Sequence, residues 1–186
     1  MENTATKKTD TIMILNYNSN TKKINVVSVP RDTRIEVDAY DGYGYLKNYW
    51  KMDTAYTLGG EEELIYHVEN LLDITVNYIL KVDYTSFINF IDALGGVEMY
   101  IEEDISTNMP YSKMIFYGFK FLFNDGISMS TLEGYLETLY DKEEFLVIEK
   151  EANKEIIDSI KTDKVLDENS SIEDYKILIL NGSGVD

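Results

Sequence analysis

The sequence predicts an α/β fold: a central mixed β-sheet flanked by helices in three layers. Three observations predict it. Two apolar, β-branched-rich runs near the start, residues 11–17 and 24–29, are separated by the polar stretch 18–23, which is the sign of paired strands. Between residues 61 and 101, segments of helical and extended period alternate, an order that layers helices on a sheet. The chain, at 186 residues, is long enough for one well-packed domain and too short for two large ones.

The elements follow in order. Pro30 closes the second strand, and residues 33–37 extend as a short third one. Residues 38–50 (DAYDGYGYLKNYW) read as a Gly- and Tyr-rich loop, whose rings are expected to pack on the domain rather than stack on sugars. Gly59 and Gly60 precede a helix over 61–72, where three glutamates fill the first turn and Leu64, Ile65, Val68, Leu71 and Leu72 share one face. Residues 77–82 read as a strand. Residues 85–94 read as a helix with Phe87, Phe90, Ile91 and Leu94 turned inward and Gly95 and Gly96 as its stop. Residues 97–101 return as a strand, and 115–123 are extended and aromatic. Ser130 and Thr131 suit the cap of a helix reaching Tyr140. A longer helix is expected over 143–161, with Phe145, Ile148, Ala152, Ile156 and Ile160 spaced by three or four. The polar stretch 162–174 reads as a linker. Residues 175–186, a strand running into Asn181-Gly182-Ser183-Gly184, read as the opening of a further module, so the main domain is placed at 1–161.

Composition narrows the function. A formal net charge of −17 opposes association with nucleic acid or an anionic membrane surface. The absence of cysteine excludes disulfides and thiolate metal sites. No stretch approaches the roughly 20 apolar residues of a spanning helix, and residues 1–5 do not read as a signal peptide. His67 lies within the 61–72 helix with neither metal-ligand spacing nor a paired nucleophile, which is the pattern of a structural histidine.

Three blocks carry a resemblance. The first is Thr9-Asp10-Thr11-Ile12-Met13-Ile14-Leu15, a turn, and Val27-Ser28-Val29-Pro30-Arg31-Asp32-Thr33. The second is Lys51-Met52-Asp53-Thr54-Ala55-Tyr56 with Gly59-Gly60, and the third Phe90-Ile91-Asp92-Ala93-Leu94-Gly95-Gly96-Val97-Glu98. In this order they resemble the LytR–CpsA–Psr family of cell-envelope phosphotransferases. The closing Leu178–Val185 stretch is similar to the first strand of an accessory domain found C-terminal in that family.

The resemblance implies transfer of a glycan phosphate from a polyprenyl-pyrophosphate carrier to a wall-glycan acceptor. The implied setting is the outer face of the cytoplasmic membrane of a Gram-positive-type bacterium, with an anchor outside this chain. It implies an apolar tunnel for the lipid tail between sheet and helices. Phosphoryl transfer asks a protein chiefly for positioning and charge neutralisation, and arginine serves because its planar fork makes bidentate phosphate contacts. By position, Asp10 would ligate Mg2+ and Arg31 would clamp the pyrophosphate. Asp32 would orient Arg31 or take the acceptor's proton, and Lys51 and Lys150 would be further cationic contacts. Arg34 has no implied role and reads as a surface residue.

The sequence also departs from the family pattern. A strand ending in Gly-x-Asp is expected before the Thr9-Asp10-Thr11 block, yet residues 1–8 hold neither strand nor aspartate. Where the family has further arginines, this chain has Glu137, Leu139 and the run Val147-Ile148-Glu149-Lys150-Glu151, and no arginine follows Arg34. Losing three charge-assisted contacts of about 1.5–3 kcal/mol each lowers a transfer rate by roughly 10³ or more. The expectation is therefore a family domain with a degenerate site and weak, altered or absent transferase activity. The alternative is a non-catalytic module that binds a polyprenyl lipid or envelope glycan.

Overall fold

The structure, a computed structural model, describes residues 8–18, 23–93, 127–140, 142–161 and 174–181. Its centre is a mixed five-stranded sheet. β1 (Thr11–Asn18) and β2 (Lys23–Val29) pair antiparallel, with Ile12 opposite Val29 and Asn18 opposite Lys23. Outside β2 runs β6 (Ile127–Thr131), parallel to it. On the other side of β1 lies β9 (Asp174–Asn181), antiparallel to β1 and parallel to the edge strand β5 (Tyr78–Lys81). The order is β5-β9-β1-β2-β6.

Both faces of the sheet are apolar because its inner strands alternate hydrophobic residues toward each side. Ile12, Ile14, Val27, Val29, Leu178 and Leu180 face the larger core, which is completed by Leu64, Val68 and Leu72 of α1 (Met52–Leu72) and by Ile157 and Ile160 at α3 (Lys154–Asp158). Met13, Leu15, Ile24, Val26 and Ile179 form a second buried cluster on the opposite face. At one end of the larger-core face the greasy alternation stops. Ser128, Asn25, Asn16 and Lys176 stand opposite one another across β6, β2, β1 and β9, with Asn16 and Lys176 buried. Ser128 Oγ donates to Asn25 Oδ1 at 2.6 Å, and beyond Lys176 its backbone N–H donates to Asn77 Oδ1 at 2.8 Å.

Two hairpins stand beside the sheet: β3 (Arg34–Tyr40) with β4 (Leu46–Lys51), and β7 (Gly134–Leu139) with β8 (Glu143–Ile148). They meet through Arg34 and Glu137, which form an ion pair, and through Lys47 Nζ and Glu143 Oε2, 3.2 Å apart. The Tyr140 hydroxyl accepts the backbone N–H groups of Asn48 and Tyr49 at 3.0 and 3.2 Å.

Several expectations are corrected here. The 38–50 loop is a hairpin arm, because Leu46–Lys51 carries strand-forming aromatics and pairs with Arg34–Tyr40, leaving only the turn 41–45. The helix expected over 61–72 is present as the second part of α1, and what the expectation lacked is a first part from Met52, set off by a break at Gly59–Gly60, where Gly60 has φ +71 and ψ −153, a conformation open essentially to glycine alone. The helices expected over 130–140 and 143–161 are instead β6, the β7–β8 hairpin and the short α3. The spacing of Phe145 and Ile148 came from a β-rich stretch, Phe145-Leu146-Val147-Ile148, that pairs with its neighbour. Buried Asn153 separates that hairpin from α3. Its side-chain Nδ2 donates to the carbonyls of Glu133 and Glu149, and its Oδ1 accepts the Glu133 N–H.

The last strand does not open a separate module: β9 is an inner strand of the main sheet, with Leu178, Ile179 and Leu180 buried. The strand expected at 33–37 runs over Arg34–Tyr40, that at 77–82 over Tyr78–Lys81, and the helix at 85–94 is α2 (Tyr84–Ala93). The expected strands at 97–101 and 115–123, and most of the expected linker, lie outside the described residues.

Candidate functional site

The site lies where β1 begins and β2 ends. Antiparallel pairing of Ile12 with Val29 places these two chain ends side by side, so Asp10 and Arg31, each two residues further out, meet beyond the last pair. Thr33 locks the turn that carries Arg31, its N–H and hydroxyl both donating to the Pro30 carbonyl at 3.1 and 2.6 Å. The start of α1 is stitched to the same turn: Met52 N–H donates to the Thr33 carbonyl at 2.8 Å and Asp53 N–H to the Arg31 carbonyl at 3.0 Å. Lys51, the last residue of β4, is thereby brought alongside.

The side chains form an alternating chain of charge. Arg31 Nη1 donates to Asp10 Oδ1 at 2.9 Å, and Arg31 Nε lies 3.9 Å from Asp32 Oδ2. Lys51 Nζ donates to Asp32 Oδ1 at 2.8 Å. Arg31, Asp10 and Asp32 are about half exposed, and Lys51 is more deeply set, with its ammonium 5.8 Å from the Phe145 ring centre. An ion pair this exposed is worth only ~0.2–1 kcal/mol. An arriving phosphate can therefore take Arg31 from Asp10 at small cost, and its contact with the guanidinium more than offsets the loss.

Behind this row lies a second pair that the sequence reasoning missed. Asp53, buried at the start of α1, accepts from Lys8 Nζ at 3.3 Å and from Thr54 Oγ1 at 2.8 Å. Its signal in the sequence is its place in the Lys51-Met52-Asp53-Thr54-Ala55-Tyr56 block, two residues after Lys51.

Other expected residues lie elsewhere. Lys150 is not in the cluster: its Nζ donates to the Asn70 carbonyl at 2.6 Å, at the far end of α1 from Lys51, where Asp73 and Lys161 also pair at 2.8 Å. Lysines suit that place because a helix C-terminus attracts cations. Arg34 is not a plain surface residue. It is half-buried, paired with Glu137, and its guanidinium lies 4.7 Å from the centre of the Tyr49 ring. Glu137, which stands where the family has an arginine, is thus paired with Arg34. His67 is buried, with Nε2 3.0 Å from Glu63 Oε1. The tyrosines expected to pack on the domain do not all do so: Tyr40, Tyr43 and Tyr45 are 71%, 91% and 71% exposed.

Among the described residues no three carboxylates or histidines converge on one point. A divalent ion here would be held by Asp10 together with oxygens of a phosphate ligand. That fits magnesium, which commonly binds through one or two carboxylates plus substrate phosphates.

The fold is thus a mixed α/β sheet that sets a row of alternating charge, Asp10, Arg31, Asp32 and Lys51, beyond the adjoining ends of two inner strands. The chain belongs to the LytR–CpsA–Psr family, whose model matches residues 1–119. It is 36% identical over 98 residues to the polyisoprenyl-teichoic acid–peptidoglycan teichoic acid transferase TagU of Halalkalibacterium halodurans, a match covering 53% of this chain and 30% of that protein. It is 35% identical over 107 residues to the regulatory protein MsrR of Staphylococcus aureus, covering 56% of this chain and 31% of the relative. The matches thus span about a third of those relatives' length. The fold resembles that of the LytR-CPS2A-psr family protein YwtF (TagT) with bound octaprenyl pyrophosphate, at TM-score 0.64 and 16% identity over 82% of this chain and 83% of that one. It also resembles protein gbs0355 from Streptococcus agalactiae, at TM-score 0.62 and 17% identity over 88% and 83%.

Proposed function

We propose that this domain binds a polyprenyl-pyrophosphate-linked glycan at the outer face of the bacterial membrane, and transfers that glycan to a wall acceptor weakly or not at all. The observation that carries the reading is the 2.9 Å contact of Arg31 with Asp10, in a row that continues to Asp32 and Lys51. TagU is named as a teichoic acid transferase, and TagT was solved with octaprenyl pyrophosphate; both support a ligand of this class.

On binding, Arg31 exchanges Asp10 for a phosphate oxygen, and Lys51 holds Asp32 in place beside it. Asp10 is then available to a magnesium ion shared with the ligand, which would spread the diphosphate charge. Asp32 accepts the proton of an acceptor hydroxyl as its oxygen attacks phosphorus and the polyprenyl phosphate leaves. This row supplies one guanidinium and one ammonium. The next arginine, Arg34, is engaged by Glu137. Binding therefore survives, while stabilisation of the more highly charged transition state falls short, which separates affinity from turnover.

The test is thermal denaturation with a short-chain polyprenyl pyrophosphate, with and without magnesium, beside a radiolabelled glycan-transfer assay. The expected result is a saturable stabilisation that Arg31→Ala abolishes and Lys150→Ala leaves unchanged, with little or no transfer. Absence of stabilisation at saturating lipid defeats the proposal.

A further inference from the structure

We propose that the tip of the β3–β4 hairpin is a binding track for an uncharged oligosaccharide. Its floor is aromatic. Tyr40 and Leu46 are cross-strand partners, and Tyr40, Tyr43, Tyr45 and Leu46 are all more than half exposed. Three exposed rings within six residues are unusual for a surface that meets only water. They are presented on a pre-set turn. Asp41 Oδ1 accepts the N–H groups of Tyr43 and Tyr45, both at 2.9 Å, its carbonyl accepts the Gly44 N–H at 2.9 Å, and Gly44 has φ +85. Little ordering is left for a ligand to impose, so the rings are ready platforms.

The polar groups between the rings select the ligand. Asp38 Oδ1 accepts from Asn48 Nδ2 at 2.6 Å beside Tyr40, and Glu36 is exposed nearer the base. A sugar ring offers an apolar C–H face to tyrosine and equatorial hydroxyls to carboxylate and amide side chains, which matches this alternation. Charge excludes a polyanion: Asp38 and Asp41 lie beside the rings, while Arg34 and Lys47, on the hairpin's other side with Glu36, are held by Glu137 and Glu143.

The track also leads somewhere. Arg34 stands opposite Lys51 at the hairpin's base, beside Asp32, and six residue steps along β3 lead from it to Tyr40, about 20 Å at ~3.3 Å per step. One hairpin thus joins the acid–guanidinium row to the tyrosines. Assigning the bound sugar as the acceptor of a transfer rests on the function proposed above; the binding itself does not.

The experiment titrates the full chain with neutral N-acetylglucosamine and glucose oligomers of two to six units, by calorimetry and by tyrosine-ring NMR shifts. Affinity is expected to rise with oligomer length. The double variant Tyr43→Ala/Tyr45→Ala, altered only at exposed positions, is expected to lose about ten-fold or more of it. Arg31→Ala is expected to bind sugars as the parent does, so a failed lipid site and a failed sugar track are read separately. No saturable binding to either series, or equal affinity in the double variant, overturns the proposal. So does a concentration-dependent dimer that the same substitutions abolish, since the rings would then serve self-association.

Discussion

Removing β9 asks whether the end of the chain is part of the domain core. Leu178, Ile179 and Leu180 are all 0–1% exposed, and their strand pairs with β1 on one side and β5 on the other. Burying each such side chain contributes about 1.5–3 kcal/mol, or roughly 5–9 kcal/mol for the three. That is the size of a whole domain's stability, about 5–15 kcal/mol. A chain ending at Lys161 is therefore expected to lose cooperative folding. Leu178→Ala is gentler and expected to cost about 2–5 kcal/mol, lowering the melting temperature by roughly 5–15 °C. The single tryptophan, Trp50, packs against the same core and reports both by fluorescence in urea and heat. If the shortened chain unfolds at the parent's midpoint with the same slope, β9 is not a core strand and the sheet order given above is wrong.

Other outcomes follow from single positions. Gly60→Ala forces a side chain into the φ +71, ψ −153 conformation and is expected to cost about 1–3 kcal/mol in urea titration, whereas Gly42→Ala, with nothing within 4 Å, should change stability little. A double-mutant cycle on Arg34 and Glu137 is expected to give a coupling of about 1 kcal/mol, with either single change loosening one hairpin from the other in amide exchange. The backbone N–H of Tyr45, joined by that of Tyr43, holds the Asp41 carboxyl below its usual value of 3.8. The depressed value means the carboxylate's support for the turn is complete above that usual value and fades as pH falls through the folded one. Amide protection of Tyr43 and Tyr45 should follow that course and vanish at all pH in Asp41→Ala.

What was legible in the sequence were the parts whose signal is local. β1, β2 and the 61–72 stretch of α1 declare themselves because their own periodicity matches the face they bury. β7 and β8 were misread because Phe145, Ile148, Ala152, Ile156 and Ile160 fit a helical spacing; what decides is the pairing of Gly134–Leu139 with Glu143–Ile148, which no local count contains. The partners of β9 lie about 100 residues back in the chain for β5 and more than 150 for β1, so only the assembled sheet reveals them. The candidate site divides in the same way. Asp10, Arg31, Asp32 and Lys51, singled out by the family's motifs, sit at strand ends that local pairing brings together. The pairing of Arg34 with Glu137 joins residues 103 positions apart and was not legible.

The polar row across one end of the sheet bears on how many ways the strands can align. Displacing β9 by one residue would turn its apolar groups to the wrong side, so that error is self-correcting. Displacing it by two keeps every face correct, and hydrophobicity alone cannot reject it. Such a shift would set Lys176 against Ile14, or Leu178 against Asn16, stranding a buried charge or amide among hydrocarbon at a cost of several kcal/mol. Four hydrophilic side chains thus leave a strand that arrives last with a single seat.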